Sequence, residues 1–166
     1  MIRISPRLLW SALALGCAAL VVGSIGLTAW LSLHPCHLCI FQRLLFMILV
    51  LIGGVAAWQV SQPIGRWAGM LSLPVAASGV AVATYQSWLQ AQPPGTVSCS
   101  AGQPGLIEQF VEWLGERLPQ LFMATGFCEE AELWIFGLSL ANWALVAFGA
   151  SLAVATCALL SLRQRD

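Results

Sequence analysis

Four long apolar stretches, Leu8 to Leu33, Ile40 to Val60, Trp67 to Leu89 and about Leu138 to Leu162, constrain this chain more than any other feature. Each is long enough to cross a hydrocarbon core of about 30 Å, which takes roughly 20 helical residues. Inside lipid a backbone must satisfy its own hydrogen bonds, and stretches of this length without period-2 alternation favour helices over barrel strands. A chain of 166 residues that is 59% hydrophobic and 8% charged also lies far from the composition of a soluble domain. The expectation is an all-α membrane protein, a single integral domain over residues 1–166 built as a bundle of four transmembrane helices. The lipid bilayer is its first partner, and no nucleic-acid partner is expected.

Zero net charge conceals an asymmetry. All seven basic residues are arginines. Arg3, Arg7, Arg66, Arg163 and Arg165 fall at the N-terminus, the second connection and the C-terminus, which four spans put on one side. The positive-inside bias makes that side cytoplasmic. Arg43, Arg117 and six of the seven acids fall on the other. Arg3 and Arg7 ahead of an apolar run could open a secretory signal, and Cys17 after Leu15-Gly16 resembles a lipoprotein cleavage site. Cutting there would leave Ala18 to Leu33 as an apolar remnant, so the stretch is read as a span.

Ser61-Gln62-Pro63-Ile64-Gly65 is a turn, and the connection from His34 to Cys39 is tight. Only the connection from Gln90 to about Leu133 is long, with Pro93, Pro94, Gly95, Gly102, Pro104, Gly105, Pro119 and Gly126 breaking it up. Loops of such length usually have a function. Within it Leu106, Ile107, Phe110, Val111, Leu114 and Leu118 recur at helical spacing, opposite Glu108, Gln109, Glu112 and Glu116. This short amphipathic helix either lies flat at the membrane surface with Trp113 at the headgroups or covers the top of the bundle.

Six cysteines divide by position. Cys17 and Cys157 lie deep within spans, where a thiol packs as a small apolar side chain. Cys36, Cys39, Cys99 and Cys128 all fall in the first and third connections, which span parity puts on one side of the membrane. The arginines make that side extracytoplasmic, where disulfides persist.

Cys36 and Cys39 sit where the second helix should begin, with Pro35 suited to its first position. Exposed amides and the helix dipole favour a thiolate at such a site. Arg43 follows Cys39 by one turn on the same face. An arginine so close to lipid either snorkels to the interface or serves a site. Haem attachment would want His at position 40, which is Ile, and no metal is expected: His34, Cys36, His37 and Cys39 are too crowded for the separated ligand pairs of structural zinc. Cys99 and Cys128, if bonded, would close a loop worth roughly 3.5 kcal/mol on the chain-entropy model, enough for a purely structural staple. A second dithiol on the same face makes exchange between two pairs the alternative.

Cys36, Leu38, Cys39, Gln42 and Arg43 fit a Cys-x-Leu-Cys-x-x-Gln/Glu-Arg pattern, and with the spans and the two loop cysteines the chain resembles the disulfide bond formation protein B (DsbB) family over nearly its whole length. Ala124-Thr125-Gly126-Phe127-Cys128 resembles the family's second loop cysteine, and Trp134-Ile135-Phe136-Gly137-Leu138-Ser139 with Trp143 its entry to the last span. There are two departures: Tyr85-Gln86-Ser87 stands where some relatives carry a histidine near the quinone, and Ala141-Asn142 where Met-Pro often precedes the tryptophan.

The resemblance implies a bacterial inner-membrane enzyme, a quinone-dependent protein-disulfide oxidoreductase. A periplasmic DsbA-like thioredoxin-fold oxidase would surrender electrons to Cys99 and Cys128. Cys36 and Cys39 would carry them on to ubiquinone or menaquinone from the membrane pool, with Arg43 beside the acceptor. Phe41, Leu44 and Leu45 are candidates to hold its ring and tail, although each singly suits packing. A vitamin K epoxide reductase-type enzyme is the enzymatic rival. A membrane scaffold whose disulfides only staple a loop is the non-enzymatic one.

Overall fold

The computed structural model describes residues 5–93, 105–128 and 133–163. Four helices in it are long and apolar enough to cross a membrane: α1 (Pro6–Leu31), α2 (His37–Trp58), α3 (Pro63–Gln90) and α6 (Leu140–Arg163). The protein is a four-helix, multi-pass membrane protein. Between α3 and α6 lie α4 (Leu106–Arg117), the single turn α5 (Pro119–Phe122) and a hairpin of β1 (Trp134–Ile135) and β2 (Leu138–Ser139).

The spans start where the sequence offers starts. Pro6 and Pro63 occupy first-turn positions of α1 and α3, where a missing N–H costs nothing. α2 differs from expectation: Cys36, not Pro35, is at its boundary, as the N-cap whose sulfur accepts the Cys39 N–H at 3.4 Å. Pro35 lies one residue outside because its carbonyl is committed elsewhere, accepting from the Thr125 and Gly126 amides at 2.9 and 3.3 Å. α6 begins at Leu140 because Leu138 and Ser139 belong to the hairpin. There Ser139 Oγ accepts the Asn142 N–H and donates to Gln90 on α3.

α1 packs on α2, α2 on α3 and α3 on α6, with α6 closing less extensively on α1. The core runs through Trp10, Leu13, Leu45, Phe46, Leu49 and Phe148. Phe148 stacks on Phe46 with ring centroids 3.9 Å apart. Gly79 makes room for that stack, since a Cβ there would collide with the Phe148 ring. Cys17 is buried, 3.8 Å from Ser151 Oγ, as an apolar packing residue would be. Cys157 is not: it lies exposed on α6, whose buried residues fall on its other faces.

The expected amphipathic helix is α4, opened by the Gly105 N–H donating to Glu108 at 2.8 Å. Its Val111 is wholly buried against Ile40 and Phe122, so the helix covers the bundle end, while Leu106, Phe110 and Trp113 stay exposed.

Candidate functional site

One turn of α2 carries most of the site. Cys39, Gln42, Arg43 and Phe46 are spaced three and four residues apart, so a single helix face presents them together. All four line a largely apolar cavity of about 660 Å³, walled by α1 at Gly23, Leu27 and Thr28 and by α6 at Ala144 and Ala147. Phe41, Leu44 and Leu45 do not line it. Phe41 and Leu44 pack toward α4, and Leu45 enters the core, because their positions on α2 face other neighbours.

Cys36 and Cys39 are free thiols with sulfurs 2.8 Å apart. Cys128 reaches the same spot from the far end of the long connection, and it packs and hydrogen-bonds against Cys36. Two backbone bonds to the Pro35 carbonyl clamp the segment in place. Gly126 permits this approach, because a Cβ there would run into the His34 carbonyl. The expected thiolate-favouring effect fails for Cys36. The Cys128 thiol bonded to it, then Cys39, and burial to 2% exposure hold its pKa well above the ordinary thiol range. Cys99 lies outside the described residues.

Arg43 does not snorkel. It is 8% exposed, with Nη1 donating to the Leu121 carbonyl and Nη2 to Thr28 Oγ1, each at 3.1 Å. Those bonds tie α2 to α5 and α1 and fix the guanidinium at the cavity wall. Its Nε is buried and has no hydrogen-bond partner among the described residues. His37 is 3.7 Å from Glu112 of α4, a link between the motif and the covering helix.

Sequence reasoning missed two residues. Gln86, left without a role, is 2% exposed and donates to Cys39 Sγ at 3.1 Å and Cys36 Sγ at 3.3 Å. Gln42, noted only as part of the motif, donates to Gln86 Oε1 at 2.8 Å. A glutamine inside a span is itself a signal, since a polar group in lipid needs partners. Thr28 and Leu121 gave no such signal.

A family model described as Disulfide bond formation protein DsbB matches residues 6–158. Disulfide bond formation protein B of Dechloromonas aromatica (strain RCB) is 39% identical over 155 residues, covering 92% of each chain. That of Azoarcus sp. (strain BH72) is 36% identical, covering 90% of this chain and 89% of its own. The protein of the same description from Polaromonas naphthalenivorans (strain CJ2) is 34% identical over 87% and 85%.

Proposed function

The chain belongs to the DsbB family, whose members act in disulfide bond formation, and from that premise we propose that it reoxidises a periplasmic DsbA-like thiol oxidase by passing electrons through two cysteine pairs to a membrane quinone. The observation that carries the reading is the contact of Cys128 with Cys36, next to Cys39 and the Arg43-lined cavity.

In this reading the partner's thiolate attacks the Cys99–Cys128 disulfide at Cys99, forming a mixed disulfide and releasing Cys128. Cys128 attacks Cys36, so that a Cys36–Cys128 bond forms as Cys36–Cys39 breaks and the electron pair leaves on Cys39. The partner's second thiolate resolves its bond to Cys99, and the partner departs oxidised. Release of Cys36–Cys128 by the freed Cys99 restores the loop disulfide and leaves the first pair reduced.

The cavity fits a quinone. Flat apolar rings need apolar walls, and their carbonyl oxygens need donors; Arg43 Nε is a buried donor without a partner among the described residues. When bound, the quinone supplies the terminal acceptor for two electrons and two protons. Arg43, held by Thr28 and Leu121, offers fixed positive charge where negative charge develops.

The membrane placement belongs to the same proposal: bacterial inner membrane, both termini cytoplasmic, the cysteine-bearing end periplasmic. The arginine distribution and the persistence of disulfides outside the cytoplasm support it.

The test mixes the purified protein with a reduced DsbA-like partner and ubiquinone or menaquinone and follows quinone absorbance. Turnover is expected, with loss in Cys36→Ser and Cys39→Ser, a large rise in quinone KM in Arg43→Ala, and activity retained in Cys17→Ala and Cys157→Ala. A partner that stays reduced while the quinone stays oxidised would overturn the reading.

A further inference from the structure

Two buried amides stand beside the cysteine pair, Gln42 on α2 and Gln86 on α3. The two ends of a glutamine amide are alike in size and opposite in hydrogen-bonding sense, so Gln86 could turn either an acceptor or a donor toward the sulfurs. Gln42 is the neighbour placed to hold one of the two orientations. Its Nε2 donates to Gln86 Oε1 at 2.8 Å, which occupies the carbonyl and leaves the amino end facing Cys39 Sγ at 3.1 Å and Cys36 Sγ at 3.3 Å.

We propose that Gln42 and Gln86 form an amide relay that sets the redox balance of the Cys36–Cys39 pair: Gln86 donates to the sulfurs, and Gln42 is the positioning residue that keeps its donor end inward. The inference rests on the reading of that pair as a redox couple.

Reducing the disulfide takes up two electrons and one proton. The S–S bond breaks, the proton goes to Cys36, whose thiol is held above the ordinary range, and the charge is left on the other sulfur, that of Cys39. An N–H donor binds an anionic sulfur more strongly than the neutral sulfur of a disulfide. Gln86 therefore stabilises the reduced state over the oxidised one, and the pair accepts electrons more readily. Amides do not titrate in the working pH range, so the donor itself is constant with pH; its effect is full where the reduced pair carries a thiolate and fades where both sulfurs are protonated. Nor do they add the desolvation cost of a second buried cation beside Arg43.

The measurement is a redox titration of the purified full-length protein, free of quinone, in dithiothreitol buffers of graded oxidation. Acid quenching, alkylation and peptide mass spectrometry then read the Cys36–Cys39 state. In Gln86→Leu the equilibrium should shift toward the disulfide by roughly tenfold or more, the worth of a hydrogen bond to a charged group. That places the potential about 30 mV lower per tenfold. Gln42→Leu should move it the same way by less, and add nothing in the Gln86→Leu background. Gln42→Glu, an acceptor only when ionised, should at a pH where it is ionised turn the Gln86 carbonyl inward and shift the equilibrium toward the disulfide at least as far as Gln86→Leu. Gln86→Met, unbranched and apolar, reports the same quantity should the leucine variant not fold.

Equal potentials in wild type and the Gln86 variants would overturn the relay, as would additive effects of the two glutamines. A wild-type pair that never exchanges with the buffer would instead refute the functional reading beneath it, and the relay with it.

Discussion

Cys36 and Cys39 are three residues apart, yet their surroundings differ. Cys36 caps α2, accepts the Cys39 N–H and is enclosed with Cys128. Cys39 stands on the helix face that lines the cavity. The thiolate is the nucleophile, so a thiol whose pKa is raised is less reactive than an ordinary one at any pH where it is still mostly protonated. In the fully reduced protein, alkylation of Cys36 should therefore set in only above the pH at which a free thiol reacts. Cys128→Ala removes the largest cause of the rise, and the pH of half-maximal Cys36 alkylation should fall toward the ordinary thiol value. Peptide mass spectrometry of samples alkylated across a pH series checks this, and an unmoved midpoint would contradict it. The motif was legible at this scale because its spacing names a helix face. The raised pKa was not, since its main cause is Cys128, far along the chain.

α4 shows what periodicity reveals and what it leaves open. Leu106, Ile107, Phe110, Val111, Leu114 and Leu118 announced a helix, and the helix formed over Leu106–Arg117 with Leu118 as its C-cap, ahead of Pro119. Which part of that apolar arc turns inward depends on Ile40 and Phe122, which helical spacing cannot supply. The hairpin went unread because its strands are two residues each. The available signal was Phe136-Gly137, whose φ values of 51° and 77° suit a tight two-residue hairpin turn. At the level of elements, Val111→Asp should release α4, because an unpaired charge buried against Ile40 costs roughly 3 kcal/mol or more. Tryptic cleavage at Arg117 should then accelerate, while Val111→Ile cleaves as the wild type does; equal rates in all three would contradict the packing.

Across the whole molecule, the four spans were legible from hydropathy alone, because lipid imposes length and composition on any helix that crosses it. The ring of neighbours α1–α2–α3–α6 was not, since it depends on close approaches such as Gly79 against Phe148, which no single segment contains. The ring brings α1 and α6 together around a cavity whose floor is the Cys39–Phe46 face of α2. The clamp on the Pro35 carbonyl sets Cys128 beside Cys36 at the same end. One end of the bundle thus holds Cys128, Cys36, Cys39 and the cavity, and the central claim of the proposed function is that electrons cross between them through a Cys36–Cys128 bond. Rapid acid quenching of the wild-type protein mixed with one equivalent of reduced partner, followed by disulfide mapping, tests that claim most directly. A species linking Cys36 to Cys128 should rise and then decay as quinone is consumed; quinone reduction at full rate with no such species at any time would contradict it.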